Sequence, residues 1–74
     1  MPPLREVLDQ VIRYMVASQE NGIFIGTPRT RAEEVGVSSG PMYHALEDMG
    51  IKRIQGRGRS ARWTIPQHII DKYS

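Results

Sequence analysis

Cysteine is absent from the 74 residues, which removes disulfides, zinc-thiolate sites and thiol nucleophiles together and fits a reducing compartment. Long apolar runs are missing too. No stretch approaches the roughly 20 residues of a membrane span, and the N-terminus lacks the basic-then-apolar layout of a signal peptide. The expected location is therefore the cytoplasm, with no membrane partner. Histidine occurs only at His44 and His68, neither with a second ligand at H-x-x-x-H or H-E-x-x-H spacing, so no metal is expected. There is no G-x-S-x-G elbow and no Walker-type phosphate loop. Gly56-Arg57-Gly58-Arg59-Ser60-Ala61 fits the letters of the dinucleotide fingerprint G-x-G-x-x-A. That motif needs a helix after it, whereas Arg62-Trp63-Thr64-Ile65 is strand-like. Glu33-Glu34 and Glu47-Asp48 are adjacent along helices and point apart, which builds no acid/base couple. The expectation is a protein that is not an enzyme, with no cofactor and no evident small-molecule ligand.

Charge of one sign is missing from one segment. Residues 1 to 50 hold four arginines against seven carboxylates, a balance of minus three, and residues 51 to 74 hold six basic groups against Asp71, a balance of plus five; together they give the formal +2. From Lys52 to Arg62 there are five bases, Lys52, Arg53, Arg57, Arg59 and Arg62, and no acid. A focused patch of this kind suits a polyanion, although a charged loop kept for solubility is the plainer alternative. At this length residues 1–74 form a single domain that buries only about 60% of its unfolded surface, too little for a large enclosed pocket.

Leu4, Val7, Leu8, Val11, Ile12, Met15 and Val16 repeat at helical spacing, which predicts an amphipathic helix of about four turns ended by Asn21-Gly22. Its stripe is a packing face, with a dimer contact through the stripe or Tyr14 as the alternative. Ile23-Phe24-Ile25, between glycines, is too short for a helix and predicts a small strand. Thr27-Pro28 opens the next helix, unless Thr30 with Glu33 forms a capping box and moves the start three residues on. Arg29 and Arg31, near this N-terminus, are available either for phosphate or for surface ion pairs with Glu33 and Glu34.

Next comes the densest local signal. Ala32 is small enough for a close helix crossing, Val35 points inward, Gly36 can take the positive φ that ends a helix, and Val37 plugs the core. Ser38 or Ser39 caps a second helix in which Pro41 is tolerated, and Met42, Ala45, Leu46 and Met49 form its buried stripe. Gly40, His44 and Glu47 lie opposite, with Tyr43 at the edge. Two helices joined by a sharp turn are the layout of a helix-turn-helix. Ile51 to Gln55 and Ala61 to Ile65 then predict two strands around the loop Gly56-Arg57-Gly58-Arg59-Ser60. Ile54, Trp63 and Ile65 are expected to cover the core, leaving Arg53 and Arg62 outward. Trp63 is a packing residue first, with base stacking the alternative. The tail from Pro66 to Ser74 allows one helical turn whose Ile69, Ile70 and Tyr73 meet either the first helix or a second subunit.

Helix, turn, helix and basic hairpin make an α+β winged helix-turn-helix, with three helices, a small antiparallel sheet and a β-hairpin wing. The chain resembles the winged helix-turn-helix family of DNA-binding proteins through A-x-x-[hydrophobic]-G-V-S-x-x-x-[hydrophobic]-x-x-A-L, matched by Ala32, Val35, Gly36, Val37, Ser38, Met42, Ala45 and Leu46. The resemblance covers nearly the whole chain. It implies sequence-specific binding of double-stranded DNA by a small transcriptional regulator, with the second helix in the major groove and the wing on backbone or minor groove. On the helix the candidates are Ser38, Ser39, Gly40, Tyr43, His44 and Glu47, where Glu47 can accept from a cytosine amine. Lys52, Arg53, Arg57, Arg59 and Arg62, with Arg29 and Arg31, are the backbone candidates. The family commonly carries arginine, lysine, threonine or glutamine where this chain has serine, glycine, tyrosine and histidine beside Glu47-Asp48. That acidic end supports a rival, a winged helix used as a protein-interaction module. A replication or excision accessory protein is the third reading. Homodimerisation stays open, and so does origin as a stand-alone regulator of a plasmid or virus.

Overall fold

A computed structural model describes residues 3–28, 34 and 39–74. α1 (Leu4–Ser18) starts where Pro3, in extended conformation, accepts the N–H groups of Glu6 and Val7 at 3.1 and 3.3 Å. Glu6 in the first turn complements the positive end of the helix dipole. Val7, Val11, Ile12, Met15 and Val16 are buried as their spacing predicts, whereas Leu4, in the first turn, is exposed.

The helix stops before Asn21-Gly22, which does a different job from the expected cap. Asn21 and Gly22 both have positive φ, 54° and 81°, and Glu20 and Ile23 exchange two backbone hydrogen bonds at 2.9 and 3.0 Å across them. This is a two-residue hairpin turn of the primed type, for which Asn-Gly is the favoured pair. It reverses the chain straight into β1 (Ile23–Ile25), the strand expected there. Pro28 is the first helical residue after β1, and Glu34 is helical as well. The remainder of the expected first motif helix and its turn, including Arg29, Thr30, Arg31, Ala32, Glu33, Val35, Gly36, Val37 and Ser38, lies outside the described residues.

α2 (Ser39–Asp48) buries Met42 and Leu46 completely and ends in a tight closure. Gly50, at φ 85°, donates its N–H to Glu47 at 2.9 Å, and Ile51 donates to Leu46 at 3.0 Å. This pattern satisfies two terminal carbonyls and sets Ile51, fully buried, against the helix that it leaves. The chain then runs directly into β2 (Lys52–Gln55), turns through a short 3-10 segment (Gly58–Ser60) and returns as β3 (Arg62–Thr64). The sheet is antiparallel in the order β1-β3-β2.

The register corrects two expectations. Lys52 pairs with Thr64 and Arg53 with Trp63, but the next partner of Arg62 is Gln55, so Ile54 falls in an irregularity between them. Ile54 is 56% exposed and does not cover the core. Arg53, as the cross-strand partner of Trp63, shares the inner face of the sheet and is not on the outward side. Arg62 does face outward, between Ile25 and Gln55.

The tail forms α3 (Gln67–Tyr73), longer than the single turn allowed for, and it folds back on this chain's own core. Ile69 and Ile70 are buried, and the Tyr73 hydroxyl donates to Asp9 on α1 at 2.8 Å. Burial pushes the Tyr73 phenol above its ordinary pKa, the Asp9 hydrogen bond and charge push the same way, and Arg13 and Arg5 oppose. A raised acid pKa means that the fold favours the neutral phenol. The stabilisation is complete below the ordinary tyrosine value and disappears as the pH rises through the raised one. Tyr73→Phe should cost about 1 kcal/mol at neutral pH. Denaturant midpoints measured from pH 7 to pH 11 should converge for the two proteins at the alkaline end, and a constant gap would show that the hydroxyl contributes nothing through its proton.

Among the described residues, then, the chain is a small α+β fold of three helices and a three-stranded antiparallel sheet. No helix of those residues is long and apolar enough to cross a membrane.

Candidate nucleic-acid interface

The buried stripe of α2 fixes what the rest of the helix can do. With Met42 and Leu46 turned into the core, Gly40, Pro41, His44, Glu47 and Asp48 are left exposed on one continuous side. Among the described residues, Gly40 has no neighbour within 4 Å of the position that a Cβ would take, so the backbone is bare toward them. Asp48 is exposed too and belongs to the same surface, although helical spacing singles out only its neighbour Glu47. Ser39 opens the helix, but its side chain is outside the described residues, as are Ser38, Arg29 and Arg31.

Tyr43 differs from its neighbours. It is half-buried, and its ring stacks on Trp63 with centroids 5.6 Å apart and planes at 24°. Trp63 is held in turn by its indole N–H, which donates to the Gly26 carbonyl at 3.1 Å. The tryptophan is therefore a packing residue, and it ties α2, β3 and the end of β1 together. Sequence spacing places Tyr43 on the edge of the helix. Its partner is 20 positions away in the chain, so no local pattern reveals the stack.

Across from this helix stands the hairpin. Lys52, Arg53, Arg57, Arg59 and Arg62 are all exposed. The loop that carries Arg57 and Arg59 is shaped by its glycine backbone and by Ser60. Gly56 has φ 81°, and a Cβ there would lie 2.6 Å from the Ser60 carbonyl oxygen, so only glycine fits. Ser60 closes the turn by donating its N–H and its hydroxyl to the Arg57 carbonyl at 3.3 and 3.2 Å. The arginine side chains are thus projected from a short, defined turn.

Four of the expected site residues meet. Tyr43 and Glu47 from α2 and Lys52 and Arg53 from β2 line one open groove of about 460 Å³, floored by Ile51 and Trp63. The groove has a carboxylate on its helical bank and the Arg53 cation on its strand bank, with Lys52 at its rim, paired with Thr64. Arg57 and Arg59 extend the basic surface beyond it, while Arg62 lies on the opposite face of the sheet. No cluster of His, Cys, Asp and Glu among the described residues is arranged to hold a metal ion.

The groove therefore sets Glu47 of an exposed helix face opposite the basic start of the hairpin, with Gly40 and His44 on the helix and Arg57 and Arg59 on the loop exposed outside it. Comparison of the chain with protein-family models, with curated proteins and with solved structures finds no match.

Proposed function

We propose that the chain is a winged helix-turn-helix protein of the cytoplasm that binds double-stranded DNA with sequence preference, as a small transcriptional regulator. The order α1-β1-α2-β2-β3, with β3 between β1 and β2, is compatible with that fold. One observation supports the functional reading: Tyr43 and Glu47 of α2 and Lys52 and Arg53 at the start of the hairpin line a single groove, beside the exposed Gly40 and His44 of the same helix. In this arrangement α2 lies in the major groove, with Gly40 and His44 against base edges, and the hairpin follows the flanking backbone, where Arg57 and Arg59 neutralise phosphate. The hairpin holds and the helix selects.

The test is binding to duplex DNA across a salt series. Arg57→Ala with Arg59→Ala should weaken binding to every duplex sequence alike and reduce the slope of log affinity against log salt by about one for each phosphate no longer neutralised. A double mutant with wild-type affinity and slope would remove the hairpin from the interface.

A protein-interaction module is favoured by a separate observation. Ile25, at 57% exposure, pairs with Arg62 on the outer face of the sheet, and Ile54, at 56% exposure, stands out at the register shift next to Gln55, the other partner of Arg62. Failure to bind duplex DNA at any salt concentration would favour this second reading.

A further inference from the structure

Two charges of opposite sign face the groove from elements that cannot move independently. Tyr43 and Glu47 are four residues apart on α2 and so share a face, and Arg53 shares the inner face of the hairpin with Trp63. The Tyr43–Trp63 stack locks one face to the other, and the Gly50 and Ile51 hydrogen bonds fix the path from Glu47 to Lys52. The distance between the carboxylate bank and the cationic bank is therefore built into the fold.

An exposed carboxylate at the edge of a DNA-binding surface repels phosphate in every register. It is compatible with tight binding only where it meets a donor. In the major groove guanine offers two acceptors and thymine an acceptor with a methyl group. Adenine offers a donor flanked by the N7 acceptor. Cytosine alone offers its N4 amine without an acceptor beside it in that groove. We infer that Glu47 and Arg53 act as a pair that selects a cytosine: Arg53 holds one backbone phosphate, and the fixed width of the groove then sets the Glu47 carboxylate against the N4 amine of a nearby base. This rests on the reading that α2 enters the major groove of duplex DNA. It makes Glu47 a residue of choice rather than of affinity, and it gives Arg53 a role distinct from that of the loop arginines.

The experiment is selection from a pool of random duplexes of about 20 base pairs, followed by sequencing and by affinity measurement on the unselected pool. Wild type should enrich a cytosine at one fixed position. Glu47→Gln removes the charge, keeps the shape and gives a side chain suited to adenine, whose N6 and N7 it can bond together. The consensus at that position should change from cytosine to adenine, while affinity for the unselected pool rises about 3- to 10-fold. Arg53→Ala should lower affinity on selected and unselected duplexes alike. Glu47 is exposed, so both proteins should keep the wild-type circular dichroism spectrum. A Glu47→Gln protein with the wild-type consensus overturns the inference while leaving the duplex reading intact, and so does one that gains affinity with no change of base. If wild type enriches no duplex at all, the duplex reading falls and the inference falls with it.

Discussion

Trp63→Ala should cost about 3–5 kcal/mol, the range for emptying a buried aromatic site, and leave a marginally stable fold at room temperature. The indole is 8% exposed, so its removal opens a cavity between α2 and the sheet. Two further losses add to the cavity. The stack at 5.6 Å with Tyr43 disappears, and the Gly26 carbonyl loses the donor that now satisfies it at 3.1 Å. Domains of this size have a total stability on the order of 5–10 kcal/mol, so the change consumes a large part of it. Trp63→Phe separates the contributions. It keeps an aromatic face for Tyr43, loses the hydrogen bond and part of the volume, and should cost roughly half as much. Urea denaturation followed by far-ultraviolet circular dichroism measures both. A Trp63→Ala protein within about 1 kcal/mol of wild type would mean that the helix and the hairpin are not held together at this point.

Gly40→Leu should act in the opposite way, abolishing sequence-specific binding while the fold gains. Gly40 is exposed and no described residue lies within 4 Å of its Cβ position, so the new side chain has room, and leucine in a helix is worth about 1 kcal/mol over glycine. The melting temperature should rise by a few degrees. If the bare backbone at Gly40 is where α2 comes closest to base edges, the leucine holds the helix away from them and discrimination of about a thousandfold or more between a selected and a scrambled duplex collapses. Contacts made by the hairpin survive, so weak salt-dependent binding should persist. Normal discrimination in a folded Gly40→Leu protein would show that this side of α2 does not face the bases.

Much of the architecture is legible locally, because its determinants are local. The α1 stripe from Val7 to Val16, the strand Ile23–Ile25 and the hairpin around Gly56 each follow from a period or a turn residue within a few positions. Asn21-Gly22 is ambiguous for a physical reason. The same dipeptide closes a helix or turns a hairpin, and the backbone pairing of Glu20 with Ile23 decides between them. The displacement of Ile54 is not legible. Ile51 and Ile54 are three positions apart, so alternation cannot bury both, and the pairing of Lys52 with Thr64 and Arg53 with Trp63 decides that Ile51 is the one inside. The same pairing, set ahead of the register shift, puts Arg53 on the inner face, where it lines a groove that β2 alone does not reveal. The length of α3 depends on tertiary burial of Ile69 and Ile70 and on the Asp9–Tyr73 bond between positions 64 residues apart, which no window along the chain contains. Of the candidate site, the exposure of His44 and Glu47 is readable from helical phase. The half-buried state of Tyr43 is not, since it comes from its contact with Trp63.

The irregularity at Ile54 also bears on how this molecule behaves at high concentration. With β3 in the centre, β1 and β2 are the edges of the sheet among the described residues, and an open edge is a template on which another chain can add a strand; β1 already pairs through Ile23 with Glu20. β1 offers only three residues, and β2 is interrupted after Arg53 and carries Lys52 and Arg53 at its start, so two like strands meeting there would be out of step and mutually repelled. Fibrous or sheet-extended association is thereby obstructed on both sides.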